Sequence, residues 1–176
     1  MSLPQAKPDR WTAWASAKEV DWDALYSDHL PRIYNYFRFR VGTDADAEDL
    51  TASAFEKAWQ ARERYRQDLA AFSTWLFTIA RNLAVDFLRS RRPQVPLDGA
   101  QEMPAEGTPE QDAERDSDLE RLTALAAQLS EREQELIALK YGAELDNRQI
   151  ARLLRLSESN VGTILHRAVQ TLRRQW

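Results

Sequence analysis

Cysteine is absent from the chain, which excludes disulfides and thiolate metal sites together. Apolar runs are short, and none approaches the roughly 18 to 20 residues needed to span a bilayer. Met1 to Lys18 has no apolar core of signal-peptide length. A cytoplasmic protein with no membrane contact of its own is therefore expected. Histidine occurs only at His29 and His166, far apart in sequence, and no glycine-rich phosphate loop is present. Neither a metal nor a cofactor is expected, and an enzyme reading has little to stand on.

The 176 residues carry a net charge of -4, which conceals strong segregation. Residues 62–92 are net +4 and 145–176 net +4, whereas 93–118 is net -7. Basic segments suit a polyanion, because each neutralised phosphate releases condensed counterions. The acidic stretch, Pro93-Gln94-Val95-Pro96 to Pro109-Glu110-Gln111-Asp112, contains four prolines, two glycines and few large apolar side chains. That composition cannot offset the entropy of ordering it, so a flexible acidic linker is expected. It is either a plain spacer or a negative segment that mimics nucleic acid inside a basic channel.

Ahead of the linker the apolar spacing is helical. Trp22, Leu25, Tyr26, His29, Leu30, Ile33 and Phe37 repeat at three and four, and Gly42 ends the helix. Thr43-Asp44-Ala45-Asp46 opens a second helix, which buries Ala47, Leu50, Ala54, Phe55, Ala58 and Trp59. A third places Phe72, Trp75, Leu76, Ile79, Ala80, Leu83 and Phe87 on one face and ends in Arg89-Ser90-Arg91-Arg92. Three such faces make one bundle.

The last 50 residues have a different grammar. Leu129-Ser130-Glu131-Arg132-Glu133 opens a short helix. Asp146 with Gln149 is a capping box, and the helix it starts buries Ile150, Leu153 and Leu154. After a turn at Arg155-Leu156, Ser157 caps a final helix whose buried positions are Val161, Ile164, Leu165, Ala168 and Leu172. This is a helix-turn-helix pattern, in which the outward face of the second helix enters the DNA major groove.

Taken together, Asp46-Ala47-Glu48-Asp49-Leu50-Thr51, Phe55-Glu56-Lys57-Ala58-Trp59 and Phe72 through Arg89 resemble domain 2 of the extracytoplasmic-function (ECF) sigma factors of bacterial RNA polymerase. Leu129 to Leu172 resembles their domain 4. The implied architecture is all-α, with two small helical domains joined by the linker. Its boundaries are an N-terminal extension at 1–20, domain 2 at 21–92, the linker at 93–118 and domain 4 at 119–176.

The resemblance implies a promoter-specificity subunit that binds core polymerase, reads the -35 and -10 promoter elements and directs initiation. A stand-alone helix-turn-helix regulator is the alternative. Core docking is implied at Asp49, Leu50, Ser53 and Glu56, against a coiled coil of the largest subunit, with domain 4 on the flap. Where relatives often carry Gln-Glu after the Asp-Leu-x triplet, this chain has Ala52-Ser53. Contact with -10 DNA is implied at Arg64, Tyr65, Arg66, Arg81 and Asn82, with Arg89, Arg91 and Arg92 on duplex phosphates. Arginines suit phosphates, a tyrosine face suits a stacked base, and an amide suits a base edge. Trp75 and Phe72 are expected in the core.

For -35 DNA the implied set is Arg148, Ser159, Asn160, Thr163, His166, Arg167, Arg173 and Arg174. Relatives commonly place Lys or Arg where this chain has Gly162 and Ile164, and a glycine where it has Arg155. An anti-sigma factor is a further partner implied by the resemblance.

Overall fold

The computed structural model describes residues 21–91 and 124–176. The expected N-terminal extension and linker, together with Arg92 and the first residues of the expected domain 4, lie outside the described residues.

Helix α1 (Trp22–Val41) starts where Asp21 accepts the Ala24 N–H at 3.0 Å and stops at Gly42, whose φ of 83° closes the helix by a bond to the Arg38 carbonyl. Thr43 caps α2 (Asp44–Gln60), and Asp44 and Asp46 place negative charge at its positive end. After a single 3-10 turn at Arg62–Arg64 and a loop, α3 (Phe72–Arg91) completes the bundle. Ile33, Tyr36 and Phe37 of α1, Ala47 and Ala54 of α2, and Leu76, Phe77, Ala80 and Ala84 of α3 are sealed from water. Small alanines on α2 and α3 let the helices approach closely around the larger α1 side chains. The expected stripe departs at Trp59, which is 53% exposed in the last turn of α2.

In the second unit, Ser130 and Glu133 form a full capping box that starts α4 (Glu131–Ile137). The helix widens into a π-helical turn, Ala138–Gly142, before α5 (Asn147–Leu154) and α6 (Glu158–Gln175). Leu136, Leu139, Ile150, Val161 and Ala168 form its centre.

The two units pack against each other through α1 and the π turn. Arg32 Nε donates to the Ala143 carbonyl at 2.8 Å, and Arg81 Nε to Glu135 at 2.7 Å. Gly142 lies so close to α1 that a Cβ there would come within 2.9 Å of the Asn35 carbonyl oxygen and 3.1 Å of the Phe39 ring. Buried residues of both units accordingly form one continuous apolar cluster. Among the described residues, no helix is long and apolar enough to cross a membrane, and no group of three His, Asp or Glu could hold a metal ion.

Candidate nucleic-acid interface

The helix-turn-helix is fixed by caps at both of its corners. Asp146 accepts the Gln149 N–H at 2.7 Å while the Gln149 side chain accepts the Asp146 N–H at 2.9 Å. At the other end of α5, Arg155 adopts φ 55° and ψ 46°, the left-handed conformation that a glycine takes more easily. This reversal lets the Leu156 N–H reach the Ala151 carbonyl at 2.9 Å. Ser157 then accepts the Asn160 N–H at 3.1 Å and sets the first turn of α6.

That start position decides what α6 presents. Val161, Leu165 and Ala168 face the core, and Ser159, Asn160, Thr163, His166, Arg167, Arg173 and Arg174 are all exposed. Arg148, on the neighbouring α5, is exposed as well. Thr163 returns its hydroxyl proton to the Ser159 carbonyl at 3.0 Å, which leaves its oxygen lone pairs and methyl group outward. Beside Gly162 a Cβ would meet only Asn147 Nδ2, at 3.7 Å, so the glycine thins this stretch of helix without closing a cavity.

The second basic segment is built around aromatic rings. Trp22 lies edge-on to Phe72 at 5.6 Å and to Trp59 at 6.0 Å, and Tyr65 packs on Trp75 at 4.9 Å. Tyr65 also donates its hydroxyl to the Ala70 carbonyl at 3.3 Å, closing the loop on itself. Burial among these rings pushes the Tyr65 phenol above its ordinary pKa. Much of the Tyr65 surface is therefore inside this cluster. Phe72 is buried and Trp75 partly so, as their helical spacing predicts.

Of the loop arginines, Arg64 is exposed, while Arg66 is clasped by Asp68 through two hydrogen bonds of 2.9 and 2.8 Å. On α3, Asn82 is exposed and Arg81 is half-buried by Glu135 of the second unit. Arg89 is exposed, with Asp86 at 4.0 Å, and Arg91 reaches Asp46 of α2 at 3.0 Å. Sequence reading passed over one pair. Arg62 lies over the exposed Trp59 ring, 4.2 Å from its centroid, and offers both a cation and a stacking face beside this loop. The signal was a tryptophan at the end of a helix stripe immediately followed by Arg62 and Arg64.

On α2, Asp49 and Glu56 point outward, and Ser53 is partly covered. Leu50 instead belongs to the apolar core, beneath that face.

Comparison with known proteins identifies the two regions of the chain. Residues 25–94 match the model of Sigma-70 region 2, and residues 119–172 match that of Sigma-70 region 4. The ECF RNA polymerase sigma factor SigL of Mycobacterium tuberculosis is 33% identical over 163 residues, which cover 90% of this chain and 90% of SigL. BldN of Streptomyces coelicolor, also named an ECF RNA polymerase sigma factor, is 33% identical over 169 residues, and the chain spans 62% of its length. The fold resembles that of CnrH, solved with the cytosolic domain of CnrY, with a TM-score of 0.69, 23% identity and coverage of 93% and 92% of the two chains. The sigma factor RpoE of Bartonella quintana, solved with the anti-sigma factor NepR, gives a TM-score of 0.66 at 21% identity over 88% and 95%. With both regions matched in order and a relative aligned along nearly its whole length, the chain belongs to the ECF sigma factor family of RNA polymerase.

Proposed function

We propose a division of labour by which this ECF sigma factor directs polymerase to promoters. The outward face of α2, with Asp49, Ser53 and Glu56, docks on the largest-subunit coiled coil, and the second unit engages the flap. Arg64, Arg66, Arg81 and Asn82 contact the -10 element, joined by Arg62 and Trp59. Arg89, Arg91 and Arg92 bind duplex phosphates. The exposed face of α6 reads the -35 element through Ser159, Asn160, Thr163, His166 and Arg167, with Arg148, Arg173 and Arg174 on the backbone. Leu50 acts by holding α2 in place.

The observation that carries this reading is the recognition helix, on which every expected reader is exposed and whose register is set by three capping side chains. Polymerase supplies the metal chemistry, so neither a cofactor nor a catalytic residue is assigned to this chain. Its workplace is the cytoplasm, where the promoters are. An anti-sigma factor is proposed as a partner, by analogy with the complex of RpoE with NepR.

Titration of the chain into core RNA polymerase, followed by size exclusion, tests this reading. Stoichiometric co-elution is expected, with loss in Asp49→Arg and Glu56→Arg. Leu50→Ala is unsuitable as a docking probe, because it opens a cavity in the bundle. A folded chain that never co-elutes, yet binds DNA unaided, would instead be a stand-alone regulator.

A further inference from the structure

We propose that the N-terminal segment, residues 1–20, returns to the α1–α3 bundle and seats the indole of Trp11 or Trp14 in an aromatic cavity beside Trp59, where it steadies the Trp59–Arg62 pair. The cavity and its occupant rest on geometry and sequence; the use of Arg62 at the -10 element rests on the sigma-factor reading above.

The cavity is open on one side and has a volume of about 250 Å³. Trp22, Asp23 and Tyr26 of α1, Phe55 and Trp59 of α2, and Phe72 of α3 line it. Its walls are braced by one another: Tyr26 packs on Phe55 at 4.5 Å, and Trp22 meets Trp59 and Phe72 edge-on. An apolar cavity of about 150 Å³ accepts a benzene ring, so this one has room for an indole. Yet two of the wall residues stay largely in water, Tyr26 at 46% and Trp59 at 53% exposure. Exposed aromatic surface gathered at one concave site suits an apolar partner.

Three features single out the N-terminal segment as that partner. Trp22 is the first residue of α1, so residues 1–20 join the fold at the rim of the cavity. Trp11 and Trp14 precede Asp21 by ten and seven residues, stretches that span at most about 33 and 23 Å. Both indoles are thus within reach, and so short a tether holds them at an effective concentration on the order of millimolar. Charge is the third feature. Asp23 is exposed on the wall, and Arg10 and Lys18 flank the two tryptophans in sequence. The same carboxylate opposes a phosphate-bearing occupant, which disfavours an extruded promoter base in this cavity.

The seated indole has a consequence beyond the cavity. Arg62 lies over the Trp59 ring at 4.2 Å and donates from Nη1 to the Trp59 carbonyl at 2.8 Å. Trp59 therefore connects the cavity to the start of the basic loop that carries Arg64 and Arg66. Side chains at a binding site keep one geometry when the packing behind them is complete. An indole against Trp59 completes that packing and fixes Arg62 for its contact.

In the full chain, nuclear Overhauser contacts are expected between the indole of Trp11 or Trp14 and the rings of Tyr26 and Phe55. The double replacement Trp11→Ala/Trp14→Ala should shift the Trp59 indole N–H signal with helical content retained. A thermodynamic cycle combining it with Tyr26→Ala guards against indirect shifts. The combined loss in the folding equilibrium constant should be smaller than the product of the separate losses by about 2-fold or more. Absence of ring contacts from both indoles overturns the proposal, and so does a cycle in which the losses simply multiply. A Trp59 signal that ignores the double replacement but moves on addition of single-stranded DNA also overturns it, and gives the cavity to a base. In holoenzyme the double variant should keep co-elution with core polymerase and lose part of its open-complex formation; undiminished open complexes would overturn the link to Arg62. A chain that shows the ring contacts but never joins polymerase would sink the sigma reading and leave the seated indole standing.

Discussion

Arg155 ends α5 in the left-handed region, where a side chain normally costs about 1–2 kcal/mol. Arg155→Gly should therefore leave stability unchanged or raise it by up to about 1 kcal/mol, after the greater freedom of glycine in the unfolded chain is subtracted. Denaturant midpoints at constant slope measure this, and a marked loss would mean that the Arg155 side chain makes a stabilising contact of its own. His29 provides a pH test. Its Nδ1 is 2.9 Å from the Leu25 carbonyl, and its ring meets Phe72 edge-on at 5.1 Å. Burial holds its pKa below 6.5 despite that bond. A depressed histidine pKa means that the unfolded chain takes up the proton first, so stability falls as pH drops below about 6.5. Between about pH 7.5 and about pH 5.5 the native chain should lose more stability than His29→Gln; equal losses would remove His29 from the account. At the reading face, Arg167→Ala should cost about 1–3 kcal/mol at one base pair in holoenzyme binding assays. Uniform loss over all promoter variants would make Arg167 a phosphate contact.

At the scale of elements, the caps govern where α6 begins and hence which side chains face DNA. Asp146→Ala removes the carboxylate that accepts the Gln149 N–H, one half of the box at α5, and should destabilise the C-terminal unit by about 1 kcal/mol, read from its denaturation midpoint. Caps of this kind were legible in sequence, because Asp146 with Gln149, Ser157 and Gly42 each lie at the boundary of an apolar repeat. For the same reason the α6 face and the three bundle helices could be assigned from spacing alone. Leu50 too was legible from that spacing as a buried position, and only the resemblance set it on the docking face as well. Other features were not legible. Tyr65 reads as an available ring until Trp75 is seen packed against it. The π turn has no periodic signature, and Gly142 gave no clue that its missing side chain serves a helix more than a hundred residues earlier. Interfaces between distant segments depend on shape and on single charges, neither of which leaves a repeat in the chain.

At the scale of the whole molecule, the length of the connecting segment and its charge make different predictions. Residues 92–123 can reach at most about 105 Å when fully extended, at about 3.3 Å per residue, enough for promoter elements about 85 Å apart. Removing residues 98–113 leaves half that segment, with a limit of about 53 Å, shorter than the separation the two reading surfaces must span. The deletion should therefore retain co-elution with core polymerase through α2, and abolish run-off transcription from promoters that require both elements. The same segment loses five acidic side chains, at Asp98, Glu102, Glu106, Glu110 and Asp112, so length and charge must be separated. Full-length variants with those acids replaced by Asn and Gln provide the comparison. If length is the requirement, the neutral variant initiates and the deletion does not. Failure of the neutral variant alone would transfer the role to the negative charge and favour a segment that occupies a nucleic-acid path. Normal initiation by the deletion would mean that polymerase brings the two elements closer than a straight duplex allows.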